Sequence, residues 1–172
     1  LAADQGANVV NMSLGSDQES GLIRDAIGYA VSAGVLPVAA AGNDGPFEDS
    51  IDYPGANASV VAVGAINQLL AVTDWSSRGI NPGTTPWVIE DREVEFAAPG
   101  EHIESTYNNG GYAILSGTSM ASPFVAGLAA KYWQASALDP MTATRDFLHS
   151  VRVDLLPAGD DEMSGFGLPQ VK

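Results

Sequence analysis

The chain has 172 residues, enough for one domain with a real core, and 45% of them are hydrophobic. Its 21 acidic residues against 7 basic ones give a net charge of −14 at pH 7, which argues against nucleic acid or an anionic membrane surface as partner. There is no cysteine, so disulfides and thiolate metal sites are excluded, and no apolar run is long enough to span a bilayer.

The opening stretch, Leu1-Ala2-Ala3-Asp4-Gln5-Gly6, has neither an initiator Met nor the charged-then-apolar pattern of a signal peptide, and reads as the end of a helix. Residues 7–14 are a short apolar run, expected as a buried strand. Residues 16–20 are turn-like and acidic and lead into a helix, where Leu22, Ile23, Ala26, Ile27, Ala30 and Val31 recur at helical spacing. Gly34 ends that helix as a left-handed cap. Residues 35–41 are the next buried strand, and Gly42-Asn43-Asp44-Gly45 is the loop after it. Strand, helix and strand with this timing predict a right-handed βαβ unit and a parallel sheet.

Residues 59–66 make a further buried strand, and residues 67–74 read as a turn and a short pairing strand. Pro82-Gly83-Thr84-Thr85-Pro86 marks a loop. Residues 87–96 read as a hairpin whose charged tip, Glu90 to Glu93, is a solvated turn rather than a calcium site. Residues 103–115 alternate as two antiparallel strands around Asn108-Asn109-Gly110-Gly111. A second amphipathic helix covers Pro140 to Ser150. No internal repeat or low-complexity tail interrupts the chain, so residues 1–172 read as one continuous unit.

The most informative stretch is Leu115 to Ala130. Small polar residues and Gly117 give way to an Ala-, Gly- and Val-rich run without charge until Lys131. Such a run predicts a helix buried all round. Pro123 fits it in the first turn, which places Ser119 at or next to the helix N-terminus. Free N–H groups and the positive end of the helix dipole then face the Ser119 hydroxyl. A serine there can be an N-cap, or a nucleophile whose own N–H helps hold an oxyanion.

Gly117-Thr118-Ser119-Met120-Ala121-Ser122-Pro123 resembles the nucleophile motif of the subtilisin-like serine proteases, the subtilases. Asn11-Met12-Ser13-Leu14-Gly15 resembles their substrate-binding strand end, and Ala40-Ala41-Gly42-Asn43-Asp44-Gly45 their oxyanion-hole loop. Phe96-Ala97-Ala98-Pro99-Gly100, Trp75-Ser76-Ser77-Arg78-Gly79 and Ser164-Gly165-Phe166-Gly167-Leu168 also agree in order, so the similarity covers nearly the whole chain. Phe124 departs from the family's usual His after the motif proline, a change of packing rather than chemistry.

The resemblance implies an α/β fold of three layers: a mostly parallel sheet with helices on both faces, subtilisin-like but lacking the N-terminal strands. It implies Ser119 as nucleophile and Asn43 as the side-chain oxyanion donor, where residues alone would read Asn43 as an Asx-turn. Ser13, Leu14 and Gly15 would line the substrate channel, and Ala40, Ala41 and Gly42 one wall of the pocket for the residue before the cut. Asp52, in Ile51-Asp52-Tyr53-Pro54-Gly55, falls near the base of that pocket, where a carboxylate attracts a basic side chain; a solvated loop acid is the plainer alternative.

Neither an Asp-Thr/Ser-Gly nor a His-Gly-Thr motif occurs in the sequence, and the family carries its catalytic Asp and His on such motifs before the serine. The chain is therefore expected to be the C-terminal portion of a catalytic domain, inert alone, partnered by the N-terminal portion, and prone to self-association through an open sheet edge. His102 and His149 are expected to be surface residues and not the base. The expected function is a secreted serine endopeptidase acting on polypeptides through an acyl-enzyme, with no certain cofactor and room for structural calcium. The alternatives are an inactive subtilase-like binding module and an α/β-hydrolase esterase. The esterase is the weaker, because its nucleophile elbow requires Gly where Ala121 stands.

Overall fold

Four strands, Val9–Met12 (β1), Leu36–Ala40 (β2), Val61–Ile66 (β3) and Phe96–Pro99 (β4), lie side by side in that order and all run parallel in the computed structural model. It describes residues 1–83, 88–155 and 157–170. The helix Gly21–Ser32 (α1) crosses from β1 to β2, and Gly34 after it takes φ 79°, the left-handed conformation that closes the helix. Both faces of the sheet are covered, which is why β2 is buried along its whole length.

Alternation along the strands sorts the core into layers. Leu36 and Val38 pack with Val61, Val63 and Phe96 against Val125 and Ala129 of the helix Thr118–Lys131 (α2) and Leu148 of the helix Pro140–Ser150 (α3). Ala39 turns to the other side, where it meets Ile27 of α1 and Val60. The result is the three-layer α/β arrangement that the sequence predicts. Two small antiparallel pairs complete it: Ile103–Thr106 (β5) with Tyr112–Leu115 (β6), and Arg152–Val153 (β7) with Leu168–Pro169 (β8). Among the described residues β1 pairs only with β2 and is half-exposed.

Several expectations are corrected. Residues 88–95 form no hairpin, and Trp87 lies outside the described residues, as do Thr84, Thr85 and Pro86 of the expected loop. The backbone groups of the segment are spent elsewhere. Arg92 N–H donates to the Ala56 carbonyl at 2.7 Å, the Arg92 carbonyl accepts from Ile80 at 2.9 Å, and Asp91 takes the Ala58 N–H at 2.9 Å. Glu93 is buried rather than at a solvated tip. Residues 67–74 contribute a lone bridge, Ile66 to Val72, in place of a short strand.

His149, expected on the surface, is 2% exposed. Its Nε2 sits 2.8 Å from Glu95, which is itself fully buried and held by Arg145 through Nε at 2.9 Å and Nη2 at 2.8 Å. A carboxylate in the core needs such partners, and the inward face of α3 supplies both. His102 is exposed as expected.

Helix α2 is not buried all round: Phe124 is 43% exposed, and Pro123 and Gly127 share that uncovered face. Nor does Pro123 stand in the first turn. The helix begins at Thr118, which makes Pro123 its sixth residue. The helix tolerates it there because the carbonyl it leaves without a donor, that of Ser119, is satisfied from outside the helix.

Candidate active site

Three segments meet beyond the carboxyl ends of the strands, where open parallel sheets place their ligands. They are the end of β1 at Ser13 to Gly15, the end of β2 at Ala41 to Asn43, and the N-terminus of α2 at Thr118 and Ser119. The chain reaches α2 through Gly117, whose N–H donates to the Gly100 carbonyl at 2.8 Å, while Gly100 N–H donates to Ile66 at 3.0 Å. The start of the helix is thus tied to the ends of β3 and β4.

Thr118 joins α2 to the loop after β2. Its hydroxyl oxygen accepts the Gly42 N–H at 3.1 Å and lies 3.2 Å from both the Gly42 carbonyl and Asn43 Oδ1. The Thr118 N–H donates to Asn43 Oδ1 at 2.9 Å. A backbone N–H can only donate, so this contact fixes which end of the Asn43 amide is oxygen. The NH2 end of Asn43 is turned away from Thr118. Ser119 is the second residue of α2, with no carbonyl one helical turn behind it to take its N–H. Among the described residues its hydroxyl makes only a long contact, 3.4 Å, to the Ser13 carbonyl.

Ser76 and Ser77, both fully buried, brace this loop from behind. Ser77 N–H donates to the Gly42 carbonyl at 3.0 Å and Ser77 Oγ accepts from Asp44 at 3.0 Å, while Gly45 N–H donates to Trp75 at 3.1 Å. The sequence alone points to no role for Ser77, Thr118, Asn11 or Ser122. For Ser77 the signal was Trp75-Ser76-Ser77-Arg78-Gly79, one of the segments that resemble the family.

Asp52 stands between two of the predicted segments. Its N–H donates to the Ala41 carbonyl at 2.8 Å, and its neighbour Tyr53 exchanges backbone bonds with Ser16 at 2.8 and 2.9 Å. The carboxylate fills the space that a side chain at either Gly15 or Gly42 would need: a Cβ there would come within 2.5 or 2.7 Å of Asp52 Oδ2. A side chain at either position would have to displace Asp52, and Gly42, at φ 109°, is favoured by its backbone as well. Burial pushes the Asp52 carboxyl above the ordinary aspartate value, and the charges of Asp44 and Asp17 add to the rise. A separate cavity of about 280 Å³ is lined by Leu14, Gly15, Ser16, Ile23, Arg24, Tyr53 and Pro54, and Asp52 is not part of its lining.

Ser119, Asn43, Ser13, Gly42 and Asp52 are thus gathered in one region, with Leu14 and Gly15 on its edge and Ala40 and Ala41 in the strand and turn beneath. Neither His102 nor His149 has a hydrogen bond to Ser119; His102 is exposed and His149 is engaged with Glu95. Among the described residues no group of three or more His, Asp or Glu side chains is arranged to hold a metal ion.

Comparison with known proteins identifies the family and fold of this chain. The model of the subtilase family matches residues 1–167. A subtilisin of Bacillus sp. (strain TA39) is 45% identical over 95% of this chain and 42% of its own length. The minor extracellular protease Epr of Bacillus subtilis (strain 168) is 41% identical over 96% of this chain and 24% of its own. The structure of the S41 psychrophilic protease superposes with a TM-score of 0.93 at 45% identity, covering 99% of this chain and 61% of that one. The chain thus spans less than half the length of these curated relatives.

Proposed function

The chain belongs to the subtilase family, and from that premise we propose that it carries the nucleophile and the oxyanion hole of a secreted serine endopeptidase. Ser119 attacks the carbonyl carbon of a peptide bond. The oxyanion that forms is held by the Ser119 N–H and the Asn43 side-chain amide. It collapses as the C–N bond breaks, and the amine leaves with the proton the base took from Ser119. Water then hydrolyses the acyl-enzyme to acid and free serine. The observation that carries the reading is the Thr118 grip on Asn43: it ties up the amide oxygen and leaves the NH2 group as a fixed donor near the start of α2. Preorganised donors of this kind cost no reorganisation when charge develops.

The base is assigned to sequence outside these 172 residues, since the motifs that carry the family's Asp and His do not occur in them. The long Ser119 to Ser13 contact suits that arrangement, because a hydroxyl so weakly held is easily drawn to an incoming imidazole. Asp52, with Asp17 and Asp44 nearby, makes this side of the site negative, which favours a Lys or Arg side chain. Secretion is supported by the extracellular relative.

The test is Ser119→Ala in the full-length protein, measured against a peptide substrate and a serine-directed phosphonate. Loss of both cleavage and labelling is expected. Labelling that survives the substitution places the nucleophile elsewhere.

A further inference from the structure

Pro123 stands four residues after Ser119 inside α2. In an uninterrupted helix the N–H at that position donates to the Ser119 carbonyl; proline has none, and its ring crowds that carbonyl as well. The Ser119 carbonyl is satisfied all the same. Ser13 Oγ, at the end of β1 and 106 residues away in sequence, donates to it at 2.8 Å.

The proton count around Ser13 closes. A serine hydroxyl has one proton and two acceptor positions. With the proton committed to Ser119, the contacts at 2.9 Å from Asn11 Nδ2 and 3.1 Å to Ser122 Oγ are both accepted by Ser13. Ser122, fully buried in α2, is then the donor in its pair. Three neighbours hold the hydroxyl in one rotamer and one direction. In return, Ser119 Oγ donates weakly to the Ser13 carbonyl at 3.4 Å, so the two residues are bound to each other both ways.

We propose that Ser13 is a positioning residue for Ser119. It provides, from the substrate-binding strand, the hydrogen bond that Pro123 withholds from α2, and so sets where the nucleophile's turn sits relative to the cleft. The proposal rests on Ser119 being the nucleophile and goes beyond it. Ser13 is exposed, so water competes for its bonds. A peptide laid along Ser13 to Gly15 excludes that water and strengthens the Ser13–Ser119 bond. Occupancy of the cleft therefore firms the position of the nucleophile.

The experiment uses the full-length protein with Ser13→Ala, Ser13→Thr, Pro123→Ala and the double variant Ser13→Ala/Pro123→Ala. Kinetics are measured on each, and denaturant stability on the same set in a Ser119→Ala background, which prevents self-digestion. Ser13→Ala is expected to lower kcat by roughly 10- to 100-fold with KM within about twofold, because a small misplacement of reacting atoms costs that much. Ser13→Thr keeps the hydroxyl and most of the rate. Pro123→Ala restores an intrahelical donor. Ser13→Ala should therefore destabilise the protein clearly when Pro123 is present and hardly at all when combined with Pro123→Ala, while kcat of the double variant stays low. A rise in KM alone makes Ser13 a plain substrate contact and overturns the proposal. So does an equal stability loss with and without the proline. If the parent cleaves nothing, the protease reading fails, and the stability cycle still decides whether Ser13 replaces the missing donor.

Discussion

Arg145 closes a two-nitrogen fork on Glu95, at 2.9 and 2.8 Å, across fifty residues of sequence. Arg145 also reaches the Ala58 carbonyl at 3.0 Å, so one guanidinium ties the approach to β4, the loop before β3 and α3 together. Burial alone pushes the Glu95 carboxyl up, but the Arg145 charge and the His149 hydrogen bond outweigh it and hold it below the ordinary glutamate value.

Arg145→Ala leaves that carboxylate buried with half its partners and should cost about 3–5 kcal/mol in guanidinium unfolding. The pH dependence follows from the lowered carboxyl. Its contribution is present above the unfolded-state value of 4.5 and is lost as pH falls through the lower folded-state value. Glu95→Gln should therefore flatten the acid limb of a stability–pH curve. An acid limb unchanged in that variant would assign acid lability to other carboxylates.

Asn43→Ala in the full-length protein should lower kcat by about 100- to 1,000-fold with KM little changed. That size is the one known for a subtilisin oxyanion-hole donor, so it is borrowed from a relative. The variant also leaves the Thr118 N–H without its acceptor, and a small loss of stability should accompany the rate loss. Steady-state kinetics that match the parent's would remove Asn43 from the oxyanion hole.

Asp52 predicts the specificity profile. The full-length protein should prefer Lys or Arg before the cut, more strongly at low salt. Because burial and nearby acids raise the Asp52 carboxyl, the preference should fade on acidification at a higher pH than an ordinary aspartate would give. Peptide-library profiling at several pH values, with Asp52→Asn as control, measures both effects. A profile dominated by Phe, Tyr or Leu and indifferent to the substitution would relegate Asp52 to packing between Gly15 and Gly42.

The 172-residue chain alone should cleave no peptide, since a triad serine without its base keeps only oxyanion and binding contributions. It should also self-associate. Asn8 to Leu14 carries no charge or proline to protect the edge of β1, and a groove of about 350 Å³ beside it exposes Leu22, Ile23, Tyr29 and Met12. Light scattering coupled to size exclusion reads the second point: a monomer at every concentration would mean the edge is shielded despite its sequence.

Where local chemistry decided the conformation, the sequence was enough. Gly34 capped α1, Asn108 to Gly111 turned the β5–β6 pair, and Asp139 with Pro140 opened α3, its carboxylate taking the Thr142 N–H at 3.2 Å. The motif segments could be placed because each lies at the end of an apolar run. What escaped were features that depend on a distant partner. Glu93 looks like part of a charged turn although it is buried, and nothing near Glu95 in sequence announces Arg145 and His149, which α3 brings beside it. Pro123 looks confined to a first turn until Ser13 answers for the carbonyl it strands. Propensity sees neighbours along the chain, and these groups answer to neighbours across it.

The Thr118 hydroxyl and N–H meet the loop after β2 across 76 and 75 residues, and Ser13 meets Ser119 across 106. Joining points so far apart exacts its entropy before any contact returns it, so such contacts are late arrivals on the folding path. The hydroxyl of Ser119 is present from the moment of synthesis, but the cradle that would make it dangerous closes only in the last steps. A folding copy therefore presents cleavable chain before the surroundings of its own Ser119 are assembled.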